Sequence, residues 1–253
     1  MNKTTIKALG CAWAAAAGSS AADTPAFDRP GIAFSTTTIP RGSFALELGV
    51  PDFIHATDSG SRSTTYRLDT NARAGLGSVV ELQLATPLLN YRHSDTAGVA
   101  DSTSGLGDSR LSLEAALPSS NADFSWAMLA GVTFASGASA FSGGGTQYTL
   151  ATSMNQKLDD TYTAGFYVEL DRADGATDYT LSPDLNFTLG SSLNGYVEAA
   201  YRHAPHSPAS SVAGAGLAWM VTPIAQLDLS FDLGLTNESP KLQGGIGFSI
   251  YLR

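Results

Sequence analysis

Four histidines, His55, His93, His203 and His206, are the side chains in this sequence best suited to hold a metal or move a proton near neutral pH. His203-x-x-His206 has the spacing of a metal half-site. Two imidazoles without a convergent cysteine or carboxylate supply too few ligands, so no metal is expected. All four histidines fall in stretches that read as long loops. A hydrolytic dyad would need a serine or aspartate beside one of them; Ser94 and Asp95 adjoin His93, and serines crowd His206. Serine is common along the whole chain, so this adjacency needs no catalytic explanation and no catalytic residue is assigned. Gly143-Gly144-Gly145 precedes a strand and not a helix, which argues against a phosphate loop, and no cofactor is expected.

The chemistry that remains is charge. Arg67, Arg73, Arg110 and Arg202 are interspersed with Asp69, Glu81, Asp108, Glu114, Glu169, Glu198, Asp228 and Asp232. Only 15% of the residues are charged, and the net charge of -9 excludes a basic nucleic-acid surface. These residues matter because of the elements that carry them.

Gln226 to Leu235 shows the pattern most plainly. Leu227, Leu229, Phe231, Leu233 and Leu235 alternate with Gln226, Asp228, Ser230, Asp232 and Gly234. Strict alternation is the mark of a strand, whose successive side chains point to opposite faces. The same period recurs about twelve times from Ser43 onward, in segments near the 9–11 residues of a tilted strand crossing a bilayer. Short turns at Leu76–Ser78, Pro118–Ala122, Asp159–Asp160, Gly190–Ser192 and Thr222–Ile224 alternate with longer loops. The latter are expected at Pro51–Arg62, Pro87–Leu106, Ala135–Thr146, Arg172–Asp178, His203–Ser211 and Thr236–Lys241. Short turns on one rim and long loops on the other is the arrangement of outer-membrane barrels.

Alternation alone leaves open which face is the interior. Aromatic residues on the apolar face decide it, because they gather at strand ends. Tyr66, Phe134, Tyr148, Tyr179 and Tyr201 fall at the long-loop end, and Phe44, Phe124, Tyr162, Phe187 and Trp219 at the short-turn end. Two girdles at these heights fit the two lipid–water boundaries. The polar face mixes both signs of charge but contains almost no lysine, which suits a confined lumen better than a solvated exterior. The fold expected is all-β, a transmembrane antiparallel up-and-down β-barrel of about 12 strands. Closure is required because lipid offers no partner to an unpaired backbone N–H or C=O. The charged residues above are then lumen-facing.

Residues 1–22 read as a signal peptide: Lys3 and Lys7 precede an apolar stretch from Ala8 to Gly18, with small residues to Ala22. The single cysteine, Cys11, lies within it. Residues 23–42 contain Pro25, Pro30 and Pro40 and form an irregular segment, and 43–253 form the barrel. Phe27, Ile32 and Phe34 are ill suited to lie free in water, so part of the segment is expected to fold back into the lumen as a plug, the alternative being a disordered leader. Asp28 and Arg29 would pair there with charges such as Arg67 or Glu198.

Asp28-Arg29-Pro30-Gly31, then Ile39-Pro40-Arg41-Gly42 leading into Leu46-Glu47-Leu48-Gly49, resembles the N-terminal pattern of the outer-membrane family named for the meta-pathway of phenol degradation. Gly105-Leu106-Gly107-Asp108 and the glycine-rich Gly137 to Gly145 followed by Tyr148 are similar to its second and third signatures. The resemblance implies a single-chain barrel for passive uptake of small hydrophobic or aromatic solutes in a Gram-negative outer membrane. Its partners would be outer-membrane lipid, the solute and the outer-membrane assembly machinery. Tyr251-Leu252-Arg253 departs from the terminal aromatic that such barrels usually offer to that machinery. Two other functions stay open: a structural or interaction barrel with a blocked lumen, and a rim-located enzyme.

Overall fold

The computed structural model describes residues 26–252 apart from 59 and 206; the expected signal peptide, Cys11, Asp23, His206 and Arg253 lie outside the described residues. Thirteen strands follow in chain order: β1 (Phe44–Asp58), β2 (Ser61–Gly75), β3 (Val80–Thr96), β4 (Val99–Gly105), β5 (Ser109–Leu117), β6 (Phe124–Phe134), β7 (Gln147–Lys157), β8 (Tyr162–Ala173), β9 (Ala176–Thr188), β10 (Leu193–His203), β11 (Ser210–Thr222), β12 (Ala225–Gly234) and β13 (Leu242–Leu252). Every pairing between them is antiparallel, and β1 closes the ring on β13, with Phe44 opposite Leu252 and Leu48 opposite Phe248. β4 and β5 share one edge of β3: β4 covers Asn90–Thr96 and β5 covers Val80–Ala85. The thirteen strands therefore make a closed barrel of twelve staves.

The barrel is apolar outside and polar within. On β12, Leu229 is 50% exposed, whereas its neighbour Asp228 is 4% exposed. Leu113, Leu150, Phe166, Val197 and Ile246 face outward in the same way, while Glu81, Glu114, Ser153 and Ser249 are buried. Such an exterior is stable only against lipid, since in water it would leave a continuous apolar belt uncovered. Tyr66, Phe134, Tyr148 and Tyr201 are exposed at one end of the belt, and Phe44, Tyr162 and Trp219 at the other.

Several stretches expected as loops are strand. β1 and β2 pair without interruption from Asp52–Arg67 up to Asp58–Ser61, and β3 with β4 from Asn90–Gly105 to Thr96–Val99. β8 and β9 pair as far as Ala173–Ala176. The last two hairpins turn on Ala97-Gly98 and Asp174-Gly175, with φ of 53°, 82°, 50° and 81°. Two successive residues with positive φ match the right-handed twist of the flanking strands. Beyond the lipid a strand needs a hydrogen-bonding partner but no apolar face. Its backbone pairing continues there while the hydrophobic alternation stops.

One irregularity shapes the interior. β1 shifts register against both neighbours between Gly49 and Asp52. Below the shift Ala45 and Glu47 point inward; above it Asp52 does, although it is five residues from Glu47 and an unbroken strand would aim it outward.

Candidate functional site: the lumen and the segment within it

Residues 26–42 have no strand structure and run through the barrel before joining β1 at the short-turn rim. Phe27 packs on Ile39, Ala45 and Tyr251 near that rim. Ile32, Ala33 and Phe34 pack on Leu129, Ala151 and Tyr167, with the Phe34 and Tyr167 rings edge-to-face at 5.8 Å. Proline at positions 30 and 40 and the lack of apolar alternation keep this segment from adding to the sheet. Its backbone donors are instead satisfied by lumen carboxylates. Asp28 and Arg29 N–H donate to the two Glu47 oxygens at 3.0 and 2.8 Å, Ile32 N–H to Glu198 Oε2 at 2.9 Å and Ile39 N–H to Glu81 Oε2 at 2.7 Å. In return, Gln226 Nε2 donates to the Arg29 carbonyl at 2.8 Å.

Two arginines organise the charges. Arg73 on β2 is fully buried and reaches Glu81 at 2.6 Å, Glu47 at 2.9 Å and Asp28 at 3.2 Å, and donates to the Ala26 carbonyl at 3.0 Å. Glu114 completes this group: its Oε2 accepts from Gln83 Nε2 at 2.7 Å, and carboxylate oxygens of Asp28, Glu81 and Glu114 lie within 4.8 Å of one another. Four acids around one guanidinium in a low dielectric cannot all be charged without large cost. Burial, the largest influence, pushes the Asp28 carboxyl up to about 7 against the pull of Arg73, and Glu47 and Glu81 add to the rise.

Arg29 is the second organiser. It grips both Asp52 oxygens at 2.8 and 2.9 Å and reaches Asp228 at 3.2 Å. These partners differ from those the sequence suggested. Arg67 lies above the β1 register shift, opposite Asp52, and pairs with Asp69 at 2.8 Å. Asp28 sits lower, beside Asn71 and Gln83, within reach of Arg73. Glu198 binds a backbone N–H of the segment, not its arginine.

The other charged residues singled out from the sequence fall at different heights. Arg110 and Glu169 approach to 4.0 Å inside the barrel, and Tyr167 Oη donates to Glu169 at 2.7 Å. Asp232 accepts from Gln243 Nε2 at 3.0 Å. Arg202 is exposed at the long-loop rim and pairs with Asp178 at 2.9 Å. Asp108 lies in the link between β4 and β5 and clasps the following glycine-rich loop, accepting from Gly137 and Gly143 N–H at 2.8 Å each and from Ser142 Oγ at 3.1 Å. Burial opposes its ionisation, but the backbone donors of this loop together with the Ser142 hydroxyl outweigh it and hold the carboxyl below its usual range. The two glycine-rich signatures thus form one structural unit.

The histidines are not loop residues where they are described. His55 lies on β1, His93 on β3 and His203 ends β10. His93 Nδ1 meets Ser102 across the β3–β4 hairpin at 3.0 Å, not the adjacent Ser94, and His55 meets Thr64 at 2.9 Å. Cross-strand register, invisible to sequence adjacency, decides these partners.

Glu47, Asp52 and Asp184 were not singled out as lumen charges. Glu47 carried a legible signal, since it lies on the polar face of an alternating strand. Asp52 carried none, because only the register shift brings it inside. Small residues make room for these carboxylates: a Cβ on Gly245 would collide with Asp52, and one on Gly165 with Asp184.

A closed barrel with a lipid-facing wall and a polar, segment-filled lumen is the architecture of a transmembrane β-barrel. The sequence matches the family described as "Putative MetA-pathway of phenol degradation" over residues 27–252, and the chain belongs to that family. Among curated proteins none matches it. Similar solved structures include an outer membrane channel from Pseudomonas putida, with 11% identity and a TM-score of 0.66 over 86% of this chain and 98% of that one. The KdgM porin in complex with disordered oligogalacturonate has 11% identity and a TM-score of 0.53, over 81% and 98%. The beta domain of a Bordetella autotransporter has 11% identity and a TM-score of 0.53, over 83% and 98%. These likenesses establish the fold.

Proposed function

We propose that this chain is a channel of the Gram-negative outer membrane for passive uptake of small hydrophobic or aromatic solutes. The observation that carries this reading is the space left beside the N-terminal segment. A cavity of about 430 Å³ on its short-turn side and one of about 260 Å³ on the other both border Pro30 and Gly31. Each is large enough for a single aromatic ring, and Phe27, Phe34 and Tyr196 give such a ring apolar contact in the larger one. Family membership supports the same solute class. The buried Arg73 network favours a second reading, a structural barrel whose lumen the segment blocks, because it ties that segment at several points.

Single-channel conductance of the purified protein in planar bilayers separates the two. A conducting wild type whose current is interrupted by aromatic solutes supports uptake. A wild type silent to both, which opens only when residues 23–39 are deleted, supports the blocked barrel.

A further inference from the structure

The charges that line the lumen do not balance. The cavity of about 260 Å³ is bordered by Asp52, Asp69, Glu198 and Asp232 against Arg29 and Arg67. Arg29 is committed to Asp52 and Asp228, and Arg67 to Asp69. Glu198 and Asp232 are left without a guanidinium, although they are only 7% and 6% exposed. Asp232 takes one amide hydrogen from Gln243 through Oδ2, and its Oδ1 has no hydrogen-bond partner. The cavity of about 430 Å³ is bordered by Asp28, Asp184 and Glu198 and, among the described residues, by no basic side chain.

Glu198 borders both cavities, together with Pro30 and Gly31. The two cavities thus share Pro30 and Gly31 of the segment on one side and Glu198 of β10 on the other, with Tyr196 lining the larger one beside them. Gly31 fits there because its φ of +111° is rarely adopted by L residues; its Cβ position lies at ordinary contact distance, 3.6 Å, from the Glu198 carboxylate and the Tyr196 ring. A carboxylate next to an aromatic ring is the pairing that recognises an ammonium group, by charge and by the negative face of the ring. When ionised, these carboxylates also hold a negative potential along the path, which attracts cations and repels anions.

We propose that the two cavities are successive stations of one path, that Glu198 at their junction sets its selectivity, and that small solutes bearing an ammonium group pass in preference to neutral or anionic ones of equal size. This rests on the channel reading above and narrows its solute class.

The test uses the full mature chain in planar bilayers under a KCl gradient at about pH 8, above the usual carboxylate range. The reversal potential is expected to have the sign of a cation-selective pore. Glu198→Gln should lower the potassium-to-chloride permeability ratio severalfold, Asp232→Asn should lower it less, and Glu198→Lys should reverse the preference. Benzylammonium, benzyl alcohol and benzoate, which share a ring and differ in charge, are then added in turn. Benzylammonium should block current at the lowest concentration, and Glu198→Gln should remove that advantage. The heat-dependent shift in gel mobility verifies that each variant folds, and if Glu198→Lys fails to fold, the two neutral variants still decide the matter. Equal block by the three compounds, anion selectivity, or wild-type selectivity in the folded Glu198→Gln variant would overturn the proposal while leaving a channel. A wild type that passes neither ions nor solutes would remove the channel reading as well.

Discussion

At the scale of single residues, Asp28 is where the N-terminal segment is most sensitive to its surroundings. Its carboxyl, ordinarily near 3.8, is raised to about 7 in the folded barrel. It faces Arg73 of β2, Glu47 of β1, Glu81 and Gln83 of β3, and Glu114 of β5. A group with a raised folded-state value binds its proton more tightly in the docked form. Its contribution to docking is complete below the ordinary value and is lost as pH rises through about 7. Hydrogen exchange at the Arg29 and Ile32 amides, corrected for intrinsic rates, should therefore show more protection as pH falls from 7 toward 4. Asp28→Asn should flatten that dependence. Protection that increases with pH in the wild type would mean that Arg73, and not burial, governs this site.

At the scale of the strand, the two faces of β12 should respond very differently to charge. Leu229 lies on the lipid face, and arginine there is expected to cost about 2–4 kcal/mol near the bilayer midplane. Ser230 borders the lumen cavity beside Asp52 and Asp232, so arginine at that position should cost far less. Equilibrium unfolding in urea from lipid bilayers measures both, and equal losses on the two faces would contradict a lipid-facing exterior. Neighbouring strands share in this division. Gly214 and Gly247 lie under Asp232 and Asp228, so part of the glycine in this chain serves the width of the lumen and not its turns.

At the scale of the whole molecule, the long-loop rim should face the cell exterior and the short-turn rim the periplasm. Cysteine at Asp95, Ser139 or Ser207, all exposed at the long-loop end, should react with an impermeant thiol reagent on intact cells. Cysteine at Asp160 or Ser191, exposed in the short turns, should react only after the outer membrane is opened. The reverse labelling pattern would invert the barrel. In the expected orientation the N-terminal segment fills the lumen from the periplasmic side, since it joins β1 at the short-turn rim.

Period-two alternation reveals where this chain meets lipid, because a membrane strand must be apolar at every second position. Leu227 to Leu235 and their counterparts indicate a barrel of about twelve strands without any coordinates, and the aromatic girdles at the strand ends indicate which face is outward. The same signal is silent wherever lipid is absent, which is why β1, β2, β3 and β4 run on through Pro51–Arg62 and Pro87–Leu106, stretches that read as loops. Pairing within the lumen is silent too. Asp28 and Arg29 were legible as charges seeking partners, but distance and height along the barrel select Arg73, Asp52 and Asp228. The register shift between Gly49 and Asp52 adds an inward carboxylate that no alternation could announce. Alternation assigns the face of a side chain only along an unbroken strand; closure of the ring decides what it meets there, because its partners come from strands as distant in sequence as those of Asp52 and Asp228.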